Sequence, residues 1–160
     1  WGPGDPHLLP RVVARHRVGR LKIIGNGKNQ VDLTHIENVV HAHLCALDAM
    51  ISNSALGGNP YFIGQNEPVC LWDWLNQVFA ELHLAPLNKF ISYKTAYNIG
   101  WLMEQAWKIL PLKDEPPMTR FVACQLAHDH WFSEVAAKRD LGYQPLLSGV
   151  STTPWSVIFT

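Results

Sequence analysis

Residues 61–64, Tyr-Phe-Ile-Gly, form a short apolar run that limits the possible folds of this chain. Turn-forming residues bound the run, and longer segments with helical spacing of apolar residues precede and follow it. This pattern is typical of a buried strand in a mostly parallel α/β sheet, whose two faces are covered by helices. The rest of the sequence contains too few such runs to build that sheet. We therefore expect the strand to complete a sheet whose other strands lie in another part of the protein.

Composition and charge argue against several classes of protein. Of the 160 residues, 48% are hydrophobic and 16% are charged, which is ordinary for a folded domain. Thirteen basic residues balance thirteen acidic ones without a Lys/Arg cluster, so we expect no nucleic acid as a partner. Three widely spaced cysteines in apolar sequence indicate reduced thiols, and hence a cytoplasmic protein. No uncharged apolar run reaches the roughly 18 residues of a membrane-spanning helix.

Periodic apolar residues predict a mostly helical chain with a few short strands. Helices are predicted over residues 8–18, 36–51, 71–84, 95–110, 119–127 and 133–140, and single strands over residues 61–64 and 130–132. Asn26 and Gly27 separate two apolar-alternating runs, near residues 21–25 and 31–35. This pair of residues tolerates the positive φ of a tight turn, so the segment is predicted to be a β-hairpin.

Four motifs occur along the chain in a recognisable order. They read WGPGDPHLLPRVV, GNGKNQVDLTHIENVVHAH, GGNPYFIGQNEPVCLWDWL and RDLGYQP. Together they resemble the C-terminal half of extended short-chain dehydrogenase/reductases, and within that class the 3β-hydroxysteroid dehydrogenase/isomerase family. Residues 91–133 further resemble the bacterial ketoreductases of long-chain olefin biosynthesis, which reduce 2-alkyl-3-oxoalkanoates with NAD or NADP as cofactor.

The resemblance implies an α/β fold in which this chain is the C-terminal, substrate-side portion of a Rossmann-type enzyme. In that class the N-terminal half binds the dinucleotide on a glycine-rich turn and carries a catalytic Tyr-x-x-x-Lys pair. Neither motif occurs in these 160 residues, so we expect no catalytic residue here and a dinucleotide-binding half outside this chain. Residues 1–148 would form the substrate-binding portion, with the segment 36–64 completing the missing sheet. Residues 149–160 depart from the family pattern.

The resemblance also implies candidate site residues. They are Trp1, Gly2 and Pro3 near the nicotinamide end of the cofactor, and His7, Leu8, Asp32 and Thr34 in the wall of the substrate cavity. A purely structural interpretation stays open beside this one. In it, Gly2 and Pro3 form a turn, Thr34 begins a capping box with Glu37, and Asp32 pairs with a Lys or Arg.

The histidines and one apolar helix raise two further questions. His41 and His43 are two residues apart on a predicted helix and face different directions, so we expect no metal site there. Helix 95–110 carries Trp101 and Trp107 with few charges. It is interpreted either as a core helix or as a peripheral contact lying in the plane of a membrane interface. For the whole protein, the resemblance implies a homodimer.

Three functions stay open at this point. The first is reduction of the 3-oxo group of a hydrophobic 2-alkyl-3-oxoalkanoate by an NAD(P)-dependent oxidoreductase, of which this chain is the substrate-side half. The second keeps the fold but makes the substrate a 3β-hydroxysteroid or a sterol, because both kinds of small molecule need an apolar cavity. The third is a non-enzymatic fragment or binding module. The residue that distinguishes NAD from NADP belongs to the N-terminal half in this class, so either cofactor remains open.

Overall fold

The computed structural model describes residues 1–5, 8–110 and 115–147. His7 and the atypical segment 149–160 lie outside these ranges. The helices of the described residues are α1 (Leu8–Arg17), α2 (Ile36–Ser52), α3 (Leu71–Glu81), α4 (Tyr93–Ile109), α5 (Arg120–Ala127) and α6 (Val135–Leu141), with a 3₁₀ turn at Ser54–Leu56. The strands are β1 (Ile23–Ile24), β2 (Gln30–Val31), β3 (Val69–Cys70) and β4 (Phe90–Ile91). All six predicted helices are confirmed, with ends that differ by a few residues.

The predicted β-hairpin is wrong. β1 pairs in parallel with β4, with Ile23 beside Phe90, and β2 pairs with β3. The turn itself forms, since Gly25 and Gly27 both have positive φ values, 77° and 72°. However, the amide of Ile23 donates to the Lys89 carbonyl at 2.8 Å, and such bonds direct the backbone groups of β1 toward β4 instead of β2.

The predicted single strands are also not present as such in the described residues. Residues 61–64 belong to no strand there, and Phe62 is 58% exposed. At 130–132 only His130 makes a bridge, through its amide and the Gln30 carbonyl at 2.9 Å. A strand exists only through its ladder with a neighbour, so an apolar run without neighbouring strands keeps an irregular backbone.

The chain divides into two compact units. Unit 1 comprises Trp1–Val13, Val31–Val69 and the segment from Trp131 onward, and unit 2 comprises Ala14–Gln30 and Cys70–His130. In unit 2, α3 contributes five buried side chains to the core, and they recur at helical spacing. They are Trp72, Trp74, Leu75, Val78 and Phe79. The His16 ring stacks on Phe79 with ring centroids 4.0 Å apart, and its Nε2 lies 2.7 Å from the Ala85 carbonyl oxygen.

Unit 1 packs α2 against α6 through small residues. Ala42, Ala137 and Leu141 surround Tyr143, whose ring is fully buried and whose hydroxyl donates to the Gly64 carbonyl at 2.7 Å. Burial raises the pKa of Tyr143 to about 12. The phenol is therefore a permanent hydrogen-bond donor that ties the end of the apolar run to α6.

Glu134 precedes α6 and is 2% exposed. Its Oε1 accepts from the Asn66 amide at 2.6 Å, and its Oε2 lies 4.0 Å from the Lys138 ammonium nitrogen. Burial raises the pKa of Glu134, and the nearby Asp32 carboxylate adds to the effect, although the Asn66 amide opposes it. Unit 1 thus holds an acid that resists ionisation.

Gly100 sets how closely α4 approaches α5 in unit 2. A Cβ at this position would lie 2.6 Å from the carbonyl carbon of Thr119 and 2.7 Å from the amide nitrogen of Arg120, which are backbone atoms. Glu104, one turn further along α4, accepts from the amide and from Nε of Arg120, each at 2.7 Å. Any residue larger than glycine would force the two helices apart and strain this double contact.

We expect Gly100→Ala to lower the free energy of unfolding by about 1–3 kcal/mol, the usual effect of overpacking. The loss should appear even though alanine raises helix propensity by about 1 kcal/mol relative to glycine. Urea unfolding followed by tryptophan fluorescence measures it. Asn98→Ala, at an exposed position of the same helix, is the matched control and should be neutral or stabilising. Equal stability of the two variants would contradict the close approach of α4 and α5.

Glu134 should make stability fall as pH rises. A carboxyl whose pKa is higher in the folded chain binds more protons when folded, so its stabilising contribution is lost as pH passes through the raised value. We expect the unfolding free energy of Glu134→Gln, relative to the unmodified chain, to increase as pH rises above 4.5, the ordinary pKa of this carboxyl. Glu81→Gln, at an exposed position, is the control. A relative stability of Glu134→Gln that does not change with pH would contradict the burial of this carboxyl.

Candidate functional site

The N-terminal loop that carries Trp1, Gly2 and Pro3 packs directly on the start of α2. The Trp1 carbonyl accepts from the Ile36 amide at 2.8 Å, and Trp1 Nε1 donates to the Leu33 carbonyl at 3.3 Å. A Cβ on Gly2 would lie 2.5 Å from Cγ2 of Ile36, so only glycine allows this approach. The structure therefore brings the cofactor candidates against the segment that carries the substrate candidates.

Thr34 does not cap α2, so the predicted capping box is wrong. The N-cap is His35, whose Nδ1 accepts from the Glu37 amide at 3.3 Å. The Thr34 hydroxyl instead donates to the Ile63 carbonyl at 3.1 Å. His35 is 1% exposed, and burial lowers its pKa, which keeps the imidazole neutral and its Nδ1 able to accept. The ring also meets the Trp1 ring edge to face, with centroids 4.7 Å apart.

Asp32 and Glu134 both accept hydrogen bonds from the backbone that follows the apolar run. Asp32 Oδ1 accepts from the Gln65 amide at 3.2 Å. Glu134 Oε1 accepts from the amide of the next residue, Asn66. A Cβ on Gly64 would overlap the Asp32 carboxylate and lie 2.6 Å from Glu134 Oε1. None of the ion pairs between described residues includes Asp32, so its predicted Lys or Arg partner is not found in this part of the chain.

Gln65 forms hydrogen bonds through its side chain as well as through its backbone amide. Its Oε1 accepts from the His35 amide at 2.6 Å, and the residue is 4% exposed. Sequence reasoning missed Gln65, His35 and Glu134 as parts of the site. A signal for Gln65 was available, because polar residues that directly follow a predicted parallel strand stand where α/β folds bind ligands.

The remaining candidates are less well defined. Leu8 begins α1, where the Asp5 carboxylate lies 3.4 Å from the next amide, that of Leu9. His7 lies outside the described residues. The roles assigned to all seven candidates stay predictions: the structure places Trp1, Gly2 and Thr34 together and joins Asp32 to the same backbone segment, without a ligand that would define their function.

A cavity of about 760 Å³ lies within unit 2. Its walls come from the last turns of α1, from β1 and β4, and from α4 and α5. The apolar lining residues include Val18, Ile24, Ile91, Ile99, Met103 and Leu126. Arg15, Arg20 and Lys22 also line it, and no acidic residue does so among the described residues. The size is within the usual range for a small-molecule site. Ala14 and Arg15 are the described residues of α1 that line the cavity.

The described residues contain neither a metal-binding cluster nor a membrane-spanning helix. No three His, Cys, Asp or Glu side chains among them could hold a metal ion together. No helix in the described ranges has both the length and the apolar character to cross a membrane. On α4, Trp101 is 47% exposed and Ile109 is 80% exposed. The peripheral membrane contact through residues 95–110 and the homodimer of the whole protein stay predictions.

Sequence comparison identifies the relatives of this chain. The model of the 3-beta hydroxysteroid dehydrogenase/isomerase family matches residues 1–94. The 2-alkyl-3-oxoalkanoate reductase of Stenotrophomonas maltophilia is 45% identical over 148 residues, which are 92% of this chain and 45% of the relative. The enzyme of the same name from Shewanella oneidensis is 43% identical over 149 residues, 92% of this chain and 38% of the relative. The sterol-4-alpha-carboxylate 3-dehydrogenase, decarboxylating, of Mus musculus is 32% identical over 151 residues, 92% and 42%.

Solved structures confirm the fold. The crystal structure of gox2253 matches with a TM-score of 0.58 at 20% identity, over 90% of this chain and 42% of that one. The UDP-glucuronic acid 4-epimerase of Bacillus cereus, in complex with NAD, matches with a TM-score of 0.52 at 16% identity. This match covers 86% of the present chain and 33% of the epimerase. The chain spans less than half the length of the curated relatives described above. Because the family model spans more than half of the chain, these 160 residues belong to the 3-beta hydroxysteroid dehydrogenase/isomerase family.

Proposed function

We propose that this chain is the substrate-side portion of an NAD(P)-dependent oxidoreductase that reduces the 3-oxo group of a hydrophobic 2-alkyl-3-oxoalkanoate. The observation that carries the proposal is the identity of 45% and 43% to two 2-alkyl-3-oxoalkanoate reductases, over 92% of the chain. The sterol dehydrogenase of the mouse is 32% identical over the same 92% of the chain. The aligned part includes residues of both units, so the similarity extends beyond the N-terminal loop.

The N-terminal loop fits the nicotinamide end of a dinucleotide better than the phosphates. Residues 1–5 contain no Lys or Arg for a phosphate, whereas the Trp1 ring and Pro3 offer apolar surface to a flat ring. Trp1, Gly2 and Pro3 would contact the bound cofactor, which supplies the hydride. The packing of Gly2 on Ile36 fixes where this loop stands. The Tyr-x-x-x-Lys pair is absent from these residues, so proton donation would come from another part of the protein.

A second candidate function is oxidation of a sterol that carries a 4-carboxylate. The family model and the mouse relative favour it, and the apolar walls of the unit 2 cavity suit a sterol as well as an alkyl chain. The names of the two groups of relatives specify substrates that have the same arrangement of carboxylate and reacting oxygen. In each case a carboxylate is attached to one carbon, and the reacting oxygen stands on the next carbon.

A chimera tests the proposed function. We expect a protein that joins the N-terminal half of the Stenotrophomonas maltophilia reductase to this chain to oxidise reduced NAD or NADP when a 2-alkyl-3-oxoalkanoate is added. The N-terminal half of the reductase should provide the cofactor site, and this chain provides the cavity. The loss of reduced-cofactor absorbance measures turnover.

The N-terminal half alone is the control for the chimera and should bind reduced cofactor without turnover. Sterol activity is measured with the same proteins in the opposite direction. A 3-hydroxysterol 4-carboxylate is then oxidised, and oxidised NAD or NADP is the electron acceptor. A chimera that binds reduced cofactor but acts only on the sterol would favour the second candidate. A chimera that binds cofactor and acts on neither substrate would contradict both.

A further inference from the structure

The unit 2 cavity combines apolar walls with charge of a single sign. Eleven of its described lining residues are apolar, and the other three are Arg15, Arg20 and Lys22. Apolar walls favour a hydrocarbon body, and a cluster of like charges favours an anion that offsets their mutual repulsion. A neutral hydrocarbon would fill the walls but leave the three cations without a counter-charge.

The local backbone brings Arg15 and Arg20, two of the three cationic residues, to the same end of α1. Arg15 belongs to the last turn of α1, and Gly19, with a φ of 68°, reverses the chain directly after it. The amide of Arg20 donates to the Arg15 carbonyl at 2.9 Å, which holds the residues after the turn beside the helix end. All three cationic side chains are exposed, so they stand where the cavity meets solvent.

The cations are not engaged by acidic side chains of the described residues. The ion pairs found there join Arg120 to Glu104, Lys138 to Glu134, and Arg139 to Asp140. Arg15, Arg20 and Lys22 take part in none of them. Arginine presents a planar fork of donors that matches a carboxylate, and lysine adds a point charge. The three side chains are thus available to a bound anion.

We propose that this cavity holds the substrate of the proposed reductase, with its carboxylate on Arg15, Arg20 and Lys22 and its alkyl chains along the apolar walls. This assignment rests on the proposed function for the identity of the substrate. In a 2-alkyl-3-oxoalkanoate the 3-oxo carbon is two bonds from the carboxyl carbon. Anchoring the carboxylate at the cationic edge therefore keeps the reacting carbonyl at that edge as well, and both alkyl chains remain for the walls. The cations select for acids over neutral ketones or alcohols of the same length.

Equilibrium binding to the 160-residue chain, without cofactor, tests the assignment. Dodecanoate and dodecanol are the probes, since they share a chain length and differ in charge, and calorimetry measures their affinities. We expect dodecanoate to bind about tenfold or more tightly than dodecanol, as hydrogen bonds to a charged group predict. Affinity for longer fatty acids should rise about fourfold per added methylene until the cavity is full, the ratio that corresponds to burial of one CH₂.

A charge-matched pair of variants locates the carboxylate. Arg15→Gln/Arg20→Gln/Lys22→Gln should lose about tenfold or more in affinity for dodecanoate and keep its affinity for dodecanol. Arg17→Gln/Lys28→Gln/Lys89→Gln removes the same charge from exposed positions that do not line the cavity, and it should bind dodecanoate as the unmodified chain does. All six side chains are exposed, so neither variant disturbs the core.

Two results would overturn the assignment: equal affinities for dodecanoate and dodecanol, or equal losses of dodecanoate affinity in the two triple variants. The binding experiment involves no turnover and no cofactor, whereas the chimera tests turnover. A chimera that reduces the oxoalkanoate while the chain shows no preference for dodecanoate would remove this assignment and leave the proposed function standing. Selective dodecanoate binding with a chimera that binds cofactor but stays inactive would support an acid-binding cavity and contradict the proposed function.

Discussion

Backbone hydrogen bonds between segments far apart in the sequence hold each unit in its fold. In unit 2 the Ile23 amide bonds to the Lys89 carbonyl, and in unit 1 the Ile36 amide bonds to the Trp1 carbonyl, each at 2.8 Å. The strands of the described residues are only two residues long, so they cannot supply extended ladders. Single long-range hydrogen bonds and buried helix faces stabilise the two units in place of such ladders.

The same constraint shapes the region around the apolar run in unit 1. Three backbone groups of this segment bond to side chains from elsewhere in unit 1. The Ile63 carbonyl accepts from Thr34, the Gln65 amide donates to Asp32, and the Asn66 amide donates to Glu134. Buried backbone groups require such partners, and no neighbouring strand provides them in the described residues. The candidate substrate residues Asp32 and Thr34 therefore have a structural function in addition to the one proposed. The Thr34 hydroxyl holds the run, the Thr34 carbonyl holds the N-terminus of Trp1, and Asp32 holds the backbone after the run.

Unit 2 has a different character, because its cavity is bordered by charge that no described acidic residue neutralises. A folded domain does not need three unpaired cations beside an apolar wall for its own stability, since exposed ion pairs contribute little and like charges repel. A ligand that is both anionic and hydrophobic satisfies both surfaces at once.

The sequence alone determined the helices and the family. Helical spacing of apolar residues is a local property, so α2 and α3 could be predicted from residues that are neighbours along one turn. The motifs that carry the family resemblance are likewise continuous stretches. Three features follow from long-range packing instead. They are the pairing of β1 with β4, the capping of α2 by His35 rather than Thr34, and the cavity that Arg15, Arg20 and Lys22 line. These outcomes depend on which distant backbone groups compete successfully for each hydrogen bond, and on which helices enclose a space. No local pattern of residues contains that information.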